Sequence, residues 1–326
     1  MISLIVSLSI LFCLNMLMVF STAPTLAFKQ ILAWIIGIAW FWWGRHFNYK
    51  ISRQLKISIF AGSCFLLLLP MVLGGSIRGS NRWISFGPAS FQPTELVKPW
   101  LMLFLSNTMH PELILIPTII TALQPDLSSA IAILLLAIPC IFYDKRLLKL
   151  TIWALVIMAL ISPLIWQFGL KQYQRDRVAS FINPTADTSN KGYNVIQSQI
   201  AIGSGGILGK GYKKGTQNQL RFLPEKHTDF IFASIAEELG LVGVFILITS
   251  YYLLIRSILS RFAESTSKYQ KIFILGILFH IWSQVVANIG MNLGILPVSG
   301  LPLPFISVGG SAIMSLLFSL GIIYAK

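Results

Sequence analysis

Eleven acidic side chains in 326 residues are few enough to weigh one at a time as candidate bases. The charge pattern of the short loops, set out below, puts Glu112, Asp144 and Glu264 on the cytoplasmic side. Glu237 and Glu238 stand about two helical turns inside an apolar run, where an ionisable group is costly and is either paired or functional. The outward set is then Glu95, Asp126, Asp176, Asp187, Glu225 and Asp229. Asp229 lies where a polar segment dives into Phe230-Ile-Phe-Ala, so one side of its carboxylate meets water and the other a low-dielectric wall. A carboxylate in that setting is a stronger general base. Asp is equally a favoured N-cap, and the local sequence leaves both readings open.

Glu95 and Lys98 are three residues apart on a helix and share a face. Each alone would be expensive inside a membrane, so they read as a pair that fixes helix packing or as one whose lysine also touches substrate. Asp126, in Gln124-Pro-Asp, follows a proline and opens a helix, and cap and catalytic readings compete there too. His227 is the one histidine of four close to other polar candidates. His46, His110 and His280 are scattered, and Cys13, Cys64 and Cys140 sit in apolar runs without the spacing of a zinc site or disulfide framework.

The segment 168–229 carries nine cations, among them Lys210 and Arg221, against four acids. This excess suits anionic lipid heads or an anionic lipid-linked substrate. Within it, Ile202-Gly-Ser-Gly-Gly-Ile-Leu-Gly-Lys-Gly has the composition of a phosphate-cradling loop, although its spacing fits neither the Walker nor the dinucleotide pattern. Near the C-terminus, Asn288-Ile-Gly-Met and the Pro/Gly-rich stretch 300–311, which contains Ser307, form an irregular segment. Such backbone is tolerated at membrane depth where it lines a buried or wet cavity.

The elements that must position these groups are membrane helices. Hydrophobic residues make up 55% and charged residues 11% of the chain, the mean hydropathy is +0.75, and apolar runs long enough to cross a hydrocarbon layer of about 30 Å recur throughout. A soluble globular protein is excluded, and no separate soluble domain is visible. The sequence is read as one all-α polytopic transmembrane domain over 1–326, with helices expected at 2–21, 27–44, 57–74, 94–109, 112–124, 127–143, 148–167, 230–255, 271–291 and 304–325. The first is expected to be a retained helix, since it lacks the basic start of a signal peptide. Lys and Arg cluster at 45–56, 145–149 and 256–271 and at Lys326, which places these loops and both termini in the cytoplasm. The long loop 168–229 then faces outward.

Several stretches together resemble one family. Trp83-Ile-Ser-Phe-Gly-Pro, Phe91-Gln-Pro-Thr-Glu-Leu-Val-Lys, Gln124-Pro-Asp-Leu, Tyr193-Asn-Val-Ile-Gln-Ser-Gln, Phe222-Leu-Pro-Glu-Lys-His-Thr-Asp-Phe and Pro302-Leu-Pro-Phe-Ile-Ser-Val-Gly-Gly-Ser are similar to the SEDS proteins of cell shape, division and sporulation. The likeness covers nearly the whole chain. Gly215-Thr-Gln-Asn-Gln-Leu brings it nearer the elongation members than the division members, while Ser128-Ser129 departs from the family's usual Gly-Thr and the N-terminus is shorter than usual.

The resemblance implies a ten-helix fold in the bacterial cytoplasmic membrane and a peptidoglycan glycosyltransferase that polymerises lipid II onto nascent glycan. It also implies a class B penicillin-binding protein and the elongation machinery as partners, with no nucleic acid. The family's catalytic aspartate falls on Asp229 and its paired Glu and Lys on Glu95 and Lys98. In the chemistry this implies, Asp229 deprotonates the acceptor sugar's 4-hydroxyl. The leaving undecaprenyl diphosphate is a stable anion that needs no general acid, unlike the leaving group of a glycosidase. Arg82, Lys98, Lys210 and Arg221 are the candidate cations for it, and a divalent ion, Mg or Mn, is the candidate cofactor. A lipid II flippase and a non-catalytic scaffold for the transpeptidase are the rival readings. The first suffers from the lack of an internal repeat and from polar groups gathered at the outer face.

Overall fold

Apolar segments in a membrane fold as helices because only a helix satisfies every backbone polar group within the segment. The computed structural model describes residues 1–47, 49–73, 82–86, 89–144, 146–149, 151–153, 160–161, 191–220 and 222–325. Its helices are α1 (Ile2–Thr22), α2 (Ala27–Gly44), α3 (Arg53–Leu73), α4 (Pro93–Thr108), α5 (Leu115–Leu123), α6 (Leu127–Leu135), α7 (Ile138–Tyr143), α8 (Lys191–Gly205), α9 (Thr216–Gln219), α10 (Ile231–Glu264), α11 (Lys268–Asn292) and α12 (Gly310–Ile323). Among the described residues five runs, α1, α2 with the turn before it, α3, α10 and α11, are long and apolar enough to cross a membrane.

Several boundaries differ from the sequence expectation for identifiable reasons. The run 127–143 is two helices, because Pro139 has no N–H to give the carbonyl of Leu135. Leu136 and Ala137 instead turn their N–H groups to Ile133 and Leu134. The expected helix 148–167 lies largely outside the described residues, as does 168–190 of the long loop. The rest of that segment is not simply loop, since it holds α8 and α9. The last helix starts at Gly310 instead of 304, and an unexpected antiparallel hairpin, β1 (Ile84–Phe86) and β2 (Ala89–Phe91), pairs Ile84 with Phe91 ahead of α4.

Helix α12 is buried along nearly its whole length and forms the hub. It packs on α2 so closely that a Cβ on Gly321 would lie 2.2 Å from the Phe41 carbonyl oxygen. Trp43 and Trp100 close over Phe318, with ring centroids 5.2 and 4.8 Å away.

The glycine-rich stretch has a structural use that its composition did not reveal. Gly240 breaks α10 at φ 65°, ψ −160°, a region essentially reserved for glycine. Four backbone groups around the break would be orphaned, and the 205–211 loop takes them. Lys210 and Gly211 donate N–H to the carbonyls of Glu237 and Glu238, and Leu241 and Val242 donate to Gly206 and Ile207. The backbone amides of Lys210 and Gly211, which the composition offered to a phosphate, are thus spent inside the protein. Glu237 and Glu238 are wholly buried, the first paired with a cation and both hydrogen-bonded. Glu237 accepts from Lys210 Nζ at 2.8 Å and from the N–H groups of Gln217 and Asn218 at the start of α9, while Glu238 accepts from Ser21 Oγ at 2.6 Å.

Candidate active site

Asp229 sits two residues before α10, in the turn that leads into it. The N-cap position belongs to Phe230, which makes no side-chain cap bond. Asp229 therefore stands one residue ahead of the N-cap position.

The main chain around Asp229 is fixed by residues distant in sequence. Three consecutive carbonyls are held: that of His227 by Val308 N–H at 2.9 Å, that of Thr228 by Ser307 Oγ at 2.6 Å, and that of Asp229 by the Nδ2 groups of both Asn288 and Asn292 at 3.0 Å. Asn292 Oδ1 also accepts the N–H of Ala233 at 3.2 Å and the hydroxyl of Ser198 at 3.1 Å, so one buried amide both caps α10 and grips Asp229. The 303–308 strip is equally constrained. Phe305 has φ 63°, an unfavourable region for a bulky side chain, and its neighbours are tied by Tyr251 Oη to Pro304 O and Asn15 Nδ2 to Ile306 O, both at 2.6 Å. Backbone strain of this kind persists only where surrounding contacts over-determine it.

Helix α4 brings a second set. Pro93 opens the helix at a position where its missing N–H costs nothing. Pro99 then leaves the Glu95 carbonyl without its helical donor, and Ser315 Oγ on α12 supplies one at 2.6 Å. The Glu95 carboxylate meets Lys98 Nζ at 2.5 Å, with Lys98 fully buried. Asp126 caps α6 by accepting from Ser129 N–H at 3.2 Å and Ser129 Oγ at 2.8 Å. It also accepts from Gln92 Nε2 at 3.3 Å and pairs with Arg82 Nη1 at 3.5 Å. Ser129, one of the two serines that depart from the family pattern, thus serves the cap.

These sets converge on a cavity of about 140 Å³ whose lining includes Arg82, Gln92, Glu95, Glu225, Thr228 and Asp229. Gly300 closes one side, and a Cβ there would stand 3.5 Å from Asp229 Oδ2. Arg82 is the one cation lining it among the described residues. Lys98 and Asp126 lie behind the wall, holding Glu95 and Arg82. Asn288 and Ser307 support the backbone, and His227 contributes its carbonyl. Lys210 is at the α10 break and does not line the cavity, and Arg221 lies outside the described residues. Glu225, one of the six outward acids, lines the cavity with Asp229. Gln92, Ser311 and Asn292 were not singled out by sequence, and of these only Asn292 gave a signal, as the outermost of four polar residues spaced by four along α11.

The described residues bring no three of His, Cys, Asp and Glu together as a metal-binding group. A divalent ion held by one or two carboxylates and the substrate's own phosphates would draw on Glu225 and Asp229, which both line the cavity. What the cavity offers is the half-buried carboxylate of Asp229 on a rigid main chain, the carboxylate of Glu225, a guanidinium in the same lining and the carboxylate of Glu95 neutralised by a lysine.

The chain is similar to peptidoglycan glycosyltransferase MrdB of Escherichia coli K12, with 40% identity over 275 residues, 80% of this chain and 74% of that one. A probable peptidoglycan glycosyltransferase FtsW of Geobacter metallireducens is 30% identical over 341 residues, covering 95% and 90%. Among solved structures, a chain of a peptidoglycan synthase complex that coordinates polymerization and crosslinking aligns with TM-score 0.83 at 30% identity, covering 98% of this chain and 96% of that one. The rod shape determining protein RodA of Thermus thermophilus aligns at 0.69 and 27%, covering 98% and 94%. These likenesses bear out the SEDS-type helical fold, and the chain is a multi-pass membrane protein. A family model described as that of the FtsW, RodA and SpoVE cell cycle proteins matches residues 1–325, and the chain belongs to that family.

Proposed function

We propose that this protein is a peptidoglycan glycosyltransferase that polymerises lipid II into glycan strands during cell elongation, with Asp229 as general base. The observation that carries the reading is the convergence of long-range hydrogen bonds on residues 227–229, which aim one carboxylate at the cavity that Arg82 lines. Similarity to relatives named for this activity supplies the reaction class.

The acceptor sugar's 4-hydroxyl gives its proton to Asp229 as its oxygen attacks the anomeric carbon of the donor. The bond from that carbon to the diphosphate breaks, and undecaprenyl diphosphate leaves with the electron pair. Attack from the face opposite the leaving group inverts an α-linked donor into a β-linked product. The leaving group is already an anion at neutral pH, so one base suffices, and the guanidinium of Arg82 is the cavity group suited to the negative charge that builds on it. The cavity faces outward and both termini lie in the cytoplasm, in accord with the distribution of Lys and Arg among the short loops. A class B penicillin-binding protein is the partner that crosslinks the product, a pairing supported by the likeness to a chain of a peptidoglycan synthase complex.

The test is incubation of purified protein with lipid II, comparing wild type with Asp229→Ala and Asp229→Asn. Glycan strands from wild type alone support the reading. Equal polymer from the variants removes Asp229 from the mechanism, and transport of lipid II across liposomes without polymer would replace the reaction by translocation.

A further inference from the structure

Helix α11 carries His280, Gln284, Asn288 and Asn292 at intervals of four, and all four are buried. Residues four apart lie on one face of a helix, so this is a polar stripe running through an otherwise apolar element. Its outer half has a use already described, since Asn288 and Asn292 hold Asp229. The inner half, His280 and Gln284, faces α4.

The register of that contact follows from two observations. A Cβ on Gly276 would lie 1.9 Å from Met102 Sδ, and His280 lies within electrostatic reach of Lys98. One step of four along α11 is therefore matched by one step of four backwards along α4. The next step sets Gln284 opposite Thr94 and Glu95, at the floor of the cavity that Glu95 lines.

Polar atoms crowd this seam, and their partners are missing. Gln284 is 0% exposed, yet neither Oε1 nor Nε2 has a hydrogen-bond partner among the described residues. The same holds for Thr94 Oγ1, Glu95 Oε2 and His280 Nδ1. Lys98, also fully buried, has three N–H donors and a hydrogen bond to Glu95 Oε1 alone. Donors and acceptors thus face one another across the seam without touching. Buried groups in such an arrangement are ordinarily joined by internal water, which makes about three hydrogen bonds at each site.

We propose that Gln284 is a positioning residue. Through a small set of internal waters shared with Thr94, His280 and Lys98, it holds the second oxygen of Glu95 and so sets how that carboxylate is presented at the cavity floor. The consequence for turnover rests on the glycosyltransferase reading above, whereas the orientation of Glu95 does not.

Gln284→Leu keeps the volume and removes the hydrogen-bonding groups. A Gln284 that merely packs two helices together would tolerate this change, because replacing polar atoms by an apolar group of the same shape is often neutral. Positioning predicts instead that kcat on lipid II falls about tenfold with KM unchanged, in line with the cost of a small misplacement in an active site. It further predicts that Glu95→Gln/Gln284→Leu falls no lower than Glu95→Gln alone, since both act through one carboxylate. Wild-type kcat in Gln284→Leu, or an equal loss in both backgrounds, would overturn the proposal.

An infrared readout makes the test independent of catalysis. The carboxylate band of Glu95, isolated as the difference between wild type and Glu95→Gln, should shift in Gln284→Leu, and an unshifted band also overturns the proposal. If wild type makes no polymer, the glycosyltransferase reading fails and the infrared arm still decides this one. Gln284→Asn, which retracts the amide, takes the place of the leucine variant if that protein does not fold, with the same expected direction and the same refuting results.

Discussion

Removing the side chain of Asn292 should loosen both a helix start and the base. In Asn292→Ala the Ala233 N–H, in the first turn of α10, loses its acceptor at 3.2 Å, and the Asp229 carbonyl loses one of its two donors at 3.0 Å. Ser198 Oγ keeps a second acceptor in the backbone carbonyl of residue 292 at 2.9 Å. A stranded buried donor costs about 1–3 kcal/mol, and a hydrogen bond lost within a membrane protein averages roughly 0.6 kcal/mol. The sum is about 1.6–3.6 kcal/mol of stability, enough to lower the melting temperature in detergent by several degrees. The rate effect is separable. Release of the Asp229 backbone by about 1 Å would cost on the order of 100-fold in polymerisation. Asn288→Ala distinguishes the two contributions, because it removes the other donor to the Asp229 carbonyl while Asn292 Oδ1 still accepts from Ala233. It should lose less stability than Asn292→Ala and a comparable share of the rate, measured as lipid II turnover beside thermal unfolding. Full activity in Asn292→Ala would refute the claim that these amides position the base, whatever its melting temperature.

Other perturbations have equally definite outcomes. Asp229→Asn preserves shape but not basicity and should reduce polymerisation by about 10²–10⁴-fold, the usual contribution of a general base, with unfolding little changed. Lys98→Met leaves Glu95 buried opposite no cation and should cost about 3–5 kcal/mol, whereas the double variant Lys98→Met/Glu95→Gln should recover much of that stability while remaining poorly active; no recovery would mean that the ion pair is not the source of the loss. Gly240→Ala forces a Cβ to within 2.3 Å of Gly209 N in a conformation costing about 1–3 kcal/mol, so the α10 break should unlock, with a lower melting temperature and faster hydrogen exchange of the Lys210, Gly211, Leu241 and Val242 amides. Ser315→Ala strands the Glu95 carbonyl freed by Pro99 and should cost about 1–2 kcal/mol, read from unfolding in detergent.

The sequence alone was enough for those features that are local. Apolar runs of spanning length place α1, α2, α3, α10 and α11 to within a few residues at most of their ends, because the bilayer dictates the length of a helix. The three-residue spacing of Glu95 and Lys98 suffices for their contact, since one helical turn brings them together whatever else the chain does. The junction at Asp229 is visible as a change in composition, and the acidic census reduces the candidate bases to six. What tertiary structure decided is everything that depends on partners far along the chain. The carbonyl of Thr228 is held from 79 residues away and that of Asp229 from 63, distances over which no periodicity survives. The same separation hid the use of the glycine-rich stretch, whose amides close a helix break some thirty residues on. It also hid the register of α11 on α4, which alone brings Gln284 opposite Thr94. Helices follow from the solvent a segment must endure, but the cavity follows from which buried backbone groups the packed helices leave for one another to satisfy.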